Sequence, residues 1–401
     1  MRLRVLGSSA GGGFPQWNCN CPNCDGLRRG SIQAKPRTQS SVALTANGVD
    51  WLLINASPEV LQQLRETPEL QPARQIRDSG VAAVLLIDAQ IDHCTGLLML
   101  RERNSPLPLY ATPEVLDDLG SGFPLTRLLG HYCGLDLRPI RLDGQPLAMP
   151  FLPGLELIPV PLTSQPPPYS PFRGRPRPGD NIGLLVRDLA SGKSLFYAPG
   201  LGQIDDSIRA VMAQADVVLV DGTFWTEDEM IRLGLSSKPA AAMGHLPQSG
   251  PGGMIEQLDA LPASTAKWLI HINNTNPILR EDSAERAELG AHGLGQVARH
   301  LPGAAPGDAQ ALHAPVVQHL AVAAVQRAGR LEVNHLAGIR PLPFGGRELE
   351  GPTPCLRCVT GQREAVEAAQ IGRRFGRTVA LKVSRSSHAQ AAVVGHAHAH
   401  Q

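Results

Sequence analysis

The chain has 401 residues, with 37 Lys and Arg against 36 Asp and Glu, and a formal net charge of +1. This balance excludes strong bulk attraction to nucleic acid or to an anionic membrane surface, and no apolar run approaches the roughly 20 residues of a transmembrane helix. The apolar stretch at the N-terminus is too short for a signal peptide, so a cytoplasmic protein is predicted.

Apolar runs of strand length recur along residues 1–294 and predict one α/β domain. The predicted strands are Leu3–Leu6, Ser41–Leu44, Trp51–Ile54, Val81–Ile87, Leu155–Val160, Ile182–Val186, Ser194–Tyr197, Val217–Val220 and Trp268–Ile272. The predicted helices are Pro58–Glu66, Pro113–Leu119, Asp205–Gln214 and Gly252–Leu258. Ser164–Pro178 is too rich in proline for either element, and long loops in compact domains usually serve as lids or binding segments.

The composition changes near residue 295. Residues 295–401 are rich in Ala, Arg, Gly and His, contain no Trp or Tyr, and show little sustained periodicity. Low aromatic content with frequent Gly and Pro argues against a second packed core. We therefore predict an atypical, disordered C-terminal extension over residues 295–401, which arises from a shifted reading frame or from a gene fusion.

The segment after the predicted strand Val81–Ile87 carries the strongest chemical signal. Asp88, Asp92 and His93 stand where a buried strand opens into a loop and then a helix, which is a rigid place for metal ligands. Asp88 is expected either to bind the metal or to support one of its ligands.

A second imidazole, His271, lies at the end of the last predicted strand and is expected to reach the Asp92–His93 pair. Two histidines and one carboxylate with open positions form the facial triad typical of non-haem Fe(II) oxygenases. The sequence therefore predicts a catalytic Fe(II) centre at Asp92, His93 and His271. The same donor atoms also suit manganese and zinc, so the residues alone leave the metal open.

Three cysteines, Cys19, Cys21 and Cys24, form a C-x-C-x-x-C motif. Zinc in structural sites takes four ligands in a tetrahedron, and a tight turn with proline can point three sulfurs at one centre. We predict a structural Zn(II) site here. The predicted fourth ligand is Asn274, three residues after His271.

Further polar residues follow apolar runs or border the proline-rich loop. Asp221 is placed to orient a ligand imidazole, and Asp180 with Asn181 to hold the loop by side-chain-to-backbone hydrogen bonds. For Asp221 and His245, a satisfied buried polar group is the alternative interpretation. The predicted substrate contacts are Asp88, Gln90, Tyr169, Asp180, Asn181, Asp221 and His245.

The motif D-x-Q-x-D-H at Asp88–His93 resembles the H-x-H-x-D-H signature of the metallo-β-lactamase superfamily with its first two histidines replaced. Residues 1 to about 293 resemble one family within it, that of coenzyme PQQ synthesis protein B. The resemblance rests on Leu6–Cys19, Asp88–His93, Pro167–Pro171, Pro178–Gly183, Tyr197–Gly202 and Ile270–Leu279.

This resemblance implies an αββα sandwich and a role in making pyrroloquinoline quinone (PQQ). It also implies one of two activities: an iron-dependent oxygenase that uses O2 to hydroxylate the tyrosine ring of a Glu–Tyr precursor, or a non-enzymatic carrier of PQQ or its precursor. A zinc hydrolase is a third alternative. Two departures weaken it: the first two histidines of the signature are replaced, and Tyr197–Gly200 lies where the superfamily has an aspartate that bridges two metals. A homodimer and contacts with other proteins of PQQ synthesis are further predictions.

The chain departs from the family at two places. Phe172, Arg173 and Gly174 follow the Pro-Tyr-Ser-Pro sequence where family members tend to have histidines, so any role of a loop histidine is absent here. The family also closes with a short strand soon after residue 293, whereas this chain continues into the extension.

Overall fold

The computed structural model describes residues 1–296 and the backbone of residues 311–313. The strands are β1 Arg2–Gly7, β2 Ser41–Thr45, β3 Trp51–Ile54, β4 Val81–Leu85, β5 Leu107–Ala111, β6 Leu135–Pro139, β7 Leu155–Pro161, β8 Ile182–Asp188, β9 Lys193–Ala198, β10 Val217–Asp221, β11 Ala266–Ile270, β12 Gly295–Gln296 and β13 Ala311–His313. The α-helices are α1 Pro22–Arg29, α2 Val60–Arg65, α3 Ile91–Cys94, α4 Pro113–Asp118, α5 Leu125–Leu129, α6 Asp206–Gln214, α7 Glu229–Arg232, α8 Met254–Asp259 and α9 Ala284–Ala291. Short 3-10 helices lie at Pro68–Leu70, Thr95–Leu100, Ala241–Met243 and Pro277–Leu279.

The strands form two mixed sheets. The first has the order β13-β1-β2-β3-β4-β5-β6, and the second β12-β11-β10-β9-β8-β7. Strands β3 to β6 run parallel to one another, as do β9 to β12, while the remaining pairings are antiparallel. Because parallel strands end at the same edge, each sheet collects several strand ends on one side.

Alternating side chains along the strands divide the core into three layers. In β3, Leu52 and Ile54 enter the apolar layer between the sheets, whereas Leu53 packs on the outer side of the first sheet. In β10, Leu219 enters the layer between the sheets, whereas Val218 packs on the outer side of the second. Helical residues complete both outer layers, so the predicted αββα sandwich is confirmed.

The predicted elements are present, with ends that differ by two residues or fewer. The proline-rich segment 164–178 forms neither helix nor strand, as predicted. Strands β5, β6, β12 and β13 and helices α1, α5, α7 and α9 were not predicted. Within the described residues, no helix is long and apolar enough to span a membrane.

The predicted domain boundary at residue 294 lies beside β12, whose residues Gly295 and Gln296 pair with β11. Further along, β13 pairs antiparallel with the edge strand β1. The second sheet therefore continues past residue 294, and the first includes backbone from the predicted extension. The prediction for the rest of residues 295–401 lies outside the described residues.

Gly96 permits close packing directly after α3, and its replacement tests this part of the fold. A Cβ on Gly96 would lie 2.1 Å from the carbonyl oxygen of Ser57, a backbone atom that cannot move aside cheaply. We expect Gly96→Ala to lower the free energy of unfolding by about 1–3 kcal/mol. Gly290 in α9 is the matched control, since a Cβ there meets nothing within 4 Å.

Gly290→Ala should raise the free energy of unfolding by about 0.5–1 kcal/mol, because alanine favours the helix. Urea unfolding of both variants gives the comparison. Equal stability of the Gly96→Ala variant and the parent chain would contradict the close packing described.

Candidate metal centres

Strand β4 leads into the segment that carries the first candidate ligands. Asp88, just beyond its end, accepts a hydrogen bond from the backbone N–H of Gln90 at 2.9 Å and bends the chain into α3. Both Asp88 oxygens also lie against His93 Nδ1, at 2.8 and 2.9 Å. The predicted strand–loop–helix arrangement is therefore confirmed, and Asp88 orients the imidazole of His93.

The bond to Asp88 turns the other ring nitrogen of His93 toward the interior of the site. His93 Nε2 is buried and has no hydrogen-bond partner among the described residues. It lies 3.6 Å from Asp92 Oδ2. A buried imidazole nitrogen without a partner is unusual, since buried polar atoms are normally satisfied. A metal ion is the partner that this geometry fits.

His271 approaches the same carboxylate from the other sheet. It directly follows β11, and its Nε2 lies 3.4 Å from Asp92 Oδ2. Two ligand atoms that each lie about 2.1 Å from one ion are about 3.0–3.4 Å from each other. The distances from Asp92 Oδ2 to the two imidazole nitrogens are close to this range. The sequence predicts that Asp92, His93 and His271 lie close together. In the structure their ligand atoms are within 4.8 Å of one another.

The charges at this centre are tightly coupled. Burial opposes ionisation of Asp92, but the imidazoles of His93 and His271 outweigh it and hold the pKa of that carboxyl below its usual range. Burial likewise disfavours protonation of His93, yet the carboxylates of Asp88 and Asp92 raise its pKa to about 9. The site therefore favours positive charge between its carboxylates, which a divalent cation supplies as well as protons do.

Asp221 and His245 form a second pair beside the first. Asp221 ends β10 and is fully buried, where its carboxylate accepts from the backbone N–H groups of Leu201 and Thr223 at 3.0 and 2.8 Å. Its Oδ2 lies 2.6 Å from His245 Nδ1. Burial lowers the pKa of His245, but the Asp221 carboxylate outweighs this and raises it. Asp221 thus orients the imidazole of His245, and the prediction that it orients an imidazole that binds metal stays a prediction.

His245 is the most exposed imidazole of the centre, and the Asp92 carboxylate is exposed to a similar extent. The side chain of His245 is 18 % exposed, against 2 % for His93 and 7 % for His271. The rings of His245 and His271 are stacked with their centroids 5.4 Å apart. A molecule that enters from solvent would therefore meet His245 before the two more deeply buried imidazoles.

Asp88 was predicted as both a metal ligand and a substrate contact, and its position corrects this. Its two oxygens face His93 Nδ1, and it does not belong to the group of atoms that surrounds Asp92. A carboxylate bound to the far side of a ligand imidazole fixes its tautomer and raises its basicity. Asp88 therefore supports the candidate ligand His93, and metal binding by His93 itself stays a prediction.

The remaining predicted substrate contacts hold the proline-rich loop against the motif. Tyr169 donates from its hydroxyl to the carbonyl of Ala89, and Asn181 forms an isolated antiparallel bridge with Asp88. Asp180 accepts from the backbone N–H of Arg177 at 2.6 Å, which is the side-chain-to-backbone bond that was predicted. These residues bring the loop beside the centre, and direct contact with substrate stays a prediction for them and for Gln90.

The three cysteines converge on Asn274. All three are buried, and Asn274 Nδ2 lies 3.1, 3.6 and 3.4 Å from the sulfurs of Cys19, Cys21 and Cys24. Cys24 lies in the first turn of α1, where the helix dipole favours negative charge. The predicted four-residue set is therefore assembled. The amide nitrogen is a donor and no zinc ligand, so an oxygen of Asn274 would have to turn toward an ion to complete a tetrahedron.

Hydrogen bonds at the sulfurs also suit thiolates. The backbone N–H of Gln16 points at Cys24 Sγ from 3.4 Å, and that of Cys21 at Cys19 Sγ from 3.5 Å. The hydrogen bond from the Cys21 thiol lowers the pKa of Cys24 to about 7, although burial opposes this shift, while the same hydrogen bond and burial raise the pKa of Cys21. Thiolates are the form of cysteine that binds metal, so this cluster fits the zinc site that was predicted.

Comparison with known proteins identifies the family. A family model described as a beta-lactamase superfamily domain matches residues 50–272. Coenzyme PQQ synthesis protein B of Azoarcus sp. (strain BH72) is 65 % identical over 294 residues, which are 73 % of this chain and 96 % of that protein. The protein of the same name from Cupriavidus necator is 65 % identical over 292 residues, 73 % of this chain and 95 % of its own length. The chain belongs to the family of coenzyme PQQ synthesis protein B.

Solved structures agree with this assignment. The structure of Zn(2+)-bound PqqB from Methylobacterium extorquens is 35 % identical and has a TM-score of 0.68, over 75 % of this chain and 99 % of that one. A diphosphatase of the PhnP family, 17 % identical with a TM-score of 0.51 over 75 % of this chain and 95 % of that one, shares the fold. Membership of the family gives the chain a role in PQQ synthesis.

The cysteine cluster is open to a direct test. We expect Cys21→Ser to lose bound zinc and to lower Tm by roughly 5–10 °C, because a structural metal contributes several kcal/mol to folding. Cys133→Ser is the matched control, since Cys133 is half-buried and lies outside the cluster. Elemental analysis and calorimetry on the same samples give both quantities. Unchanged zinc content and Tm in Cys21→Ser would show that the cluster holds no structural metal.

Proposed function

We propose that this protein is a non-haem Fe(II)-dependent hydroxylase of PQQ synthesis, which adds oxygen to the tyrosine ring of a Glu–Tyr-derived precursor. One observation carries the proposal: Asp92 Oδ2 lies 3.6 Å from His93 Nε2 and 3.4 Å from His271 Nε2. Two imidazole nitrogens and one carboxylate oxygen around one point are the donor set of the Fe(II) oxygenases.

Family membership supports the substrate class. The relatives are named for the synthesis of coenzyme PQQ, which makes a precursor of that coenzyme the substrate class that membership supports. The relative from Methylobacterium extorquens is described as Zn(2+)-bound. We assign zinc in this chain to Cys19, Cys21 and Cys24, and iron to Asp92, His93 and His271.

The bound iron would supply activation of O2. In the overall reaction a ring C–H becomes C–OH, one oxygen atom enters the product and the other leaves as water. The balance requires two electrons and two protons, with the electrons from an external small-molecule reductant such as ascorbate. Around the iron, Asp88 keeps the Nε2 lone pair of His93 free for the metal. The hydrogen bond from Tyr169 to Ala89 holds the proline-rich loop beside the segment that carries Asp92 and His93.

The proposal predicts hydroxylation that depends on His93. Protein purified without oxygen, loaded with Fe(II) and supplied with ascorbate, O2 and a Glu–Tyr dipeptide should form a product heavier by one oxygen atom. His93→Ala should abolish this product and iron binding. Because it also leaves the buried Asp88 carboxylate without its imidazole partner, we expect a lower Tm, and circular dichroism checks that the variant is folded. Mass spectrometry with isotopically labelled O2 identifies the source of the added atom.

His292→Ala is the matched control, since His292 is 38 % exposed and pairs with Asp259 away from the centre. It should retain activity. A parent chain that binds the precursor or PQQ but never hydroxylates it would contradict the enzyme and favour the carrier.

A further inference from the structure

Thr223 connects the two imidazoles that face the candidate iron centre from the second sheet. It lies two residues beyond Asp221, and its side chain is buried. Its hydroxyl oxygen is 2.8 Å from His271 Nδ1 and 3.1 Å from His245 Nδ1. The same oxygen lies 3.0 Å from the backbone carbonyl of His271. One hydroxyl group therefore contacts both imidazoles and the main chain of one of them.

The number of protons available decides how these contacts are made. A threonine hydroxyl has one proton to donate and two lone pairs to accept with. The carbonyl of His271 can only accept, so it takes the hydroxyl proton. His271 Nδ1 must then carry a proton and donate it to the Thr223 oxygen. No other assignment places a proton in both of these contacts.

The same argument applies to the imidazole of His245. The Asp221 carboxylate can only accept, so the 2.6 Å contact requires a proton on His245 Nδ1. That proton is also directed at the second lone pair of Thr223. In His93, the contacts of Nδ1 with Asp88 likewise require a proton on Nδ1. All three imidazoles are thereby held with hydrogen on Nδ1, which leaves the Nε2 lone pair available.

Thr223 also stabilises an unusual backbone conformation at His271. His271 has a φ of 61°, in the left-handed region that costs a residue other than glycine roughly 1–3 kcal/mol. Such a conformation persists where surrounding bonds impose it. The Thr223 hydroxyl holds the His271 carbonyl, and the Thr223 carbonyl accepts from the N–H of Asn273 at 3.1 Å. Both bonds hold the chain on the C-terminal side of His271, and on its N-terminal side the carbonyl of Ile270 accepts from the N–H of Gly222 at 2.8 Å.

We propose that Thr223 is a positioning residue that fixes the backbone, ring orientation and Nδ1–H tautomer of His271, so that Nε2 faces Asp92 and the metal. This inference rests on the proposed metal centre. In the D-G-T sequence at Asp221–Thr223, the aspartate thus orients His245 and the threonine orients His271.

Thr223→Val tests the proposal because valine keeps the shape of threonine and replaces its hydroxyl group with a methyl group that cannot form hydrogen bonds. Co(II) is the probe, titrated into full-length protein whose thiolate cluster already holds one equivalent of zinc. We expect Thr223→Val to weaken Co(II) binding about 10- to 100-fold, the usual cost of losing a group that supports a ligand. The visible absorption of the bound Co(II) should change, because the geometry around His271 is no longer fixed.

Two further variants separate positioning from general loss of structure. Thr223→Ser keeps the hydroxyl and should restore most of the Co(II) affinity and the parent spectrum. Thr265→Val is the control for loss of a buried threonine hydroxyl. Thr265 precedes β11, at the opposite end of that strand from His271, and its hydroxyl donates to the Ala215 carbonyl at 3.1 Å. This variant should leave Co(II) binding unchanged. NMR of the histidine ring nitrogens, assigned with His271→Gln, should report Nδ1–H at His271 in the parent and its loss in Thr223→Val.

Each outcome decides a different claim. Weaker Co(II) binding in Thr223→Val, rescue by Thr223→Ser and a changed tautomer support the proposal. Equal affinity, spectrum and tautomer in Thr223→Val and the parent would overturn the role of Thr223 alone. Absence of Co(II) binding in the parent as well would overturn the metal centre and this inference together.

Discussion

Backbone hydrogen bonds that join the two sheets at one end of the sandwich are the constraint on which the site depends. Ile182 of the second sheet donates to the carbonyl of Ile87 beyond β4, at 2.9 Å, and Ile272 donates to the carbonyl of Ser8, at 2.8 Å. Asp92 and His93 come from the first sheet, and His271 from the second. These main-chain bonds, a few residues away, therefore fix the backbone positions from which the three side chains extend.

The carboxylates of the centre are arranged so that imidazoles compensate the buried negative charge. Asp88 faces His93, Asp221 faces His245, and Asp92 lies between His93 and His271. An isolated buried carboxylate would be very costly, whereas a paired one is tolerated. The same pairing determines which ring nitrogen of each histidine carries hydrogen. Charge balance and ligand orientation are thus two results of one set of contacts.

The sequence was most informative where buried strands have uninterrupted apolar residues. Trp51–Ile54 was predicted with its observed ends, since all four residues are buried. Strand β6 was missed because its residues Leu135–Pro139 are mostly exposed and include charged side chains and a proline. Helix α1 was missed because Pro22 suggested a turn, although proline is favoured at the first position of a helix.

The candidate ligands were predictable because each follows a strand, and strand ends of parallel sheets collect at one edge. The roles of Asp88 and Thr223 could not be predicted from the sequence in the same way. Whether Asp88 touches the metal or a ligand depends on the turn at Gln90, and the importance of Thr223 appears only when β10 and β11 are side by side, with Asp221 opposite Ile270. Spacing along the chain indicates which groups are present, whereas their hydrogen-bond partners come from contacts distant in sequence.

The central claim is that two separate metals occupy the two clusters, and element-resolved metal analysis tests it most directly. The parent chain and His271→Ala are purified without oxygen, and the zinc and iron bound to each are quantified. We expect one zinc in both proteins and iron in the parent only, because His271 belongs to the iron centre and the cysteine cluster is separate. Iron retained in His271→Ala, or zinc alone in both proteins, would contradict the proposed centre.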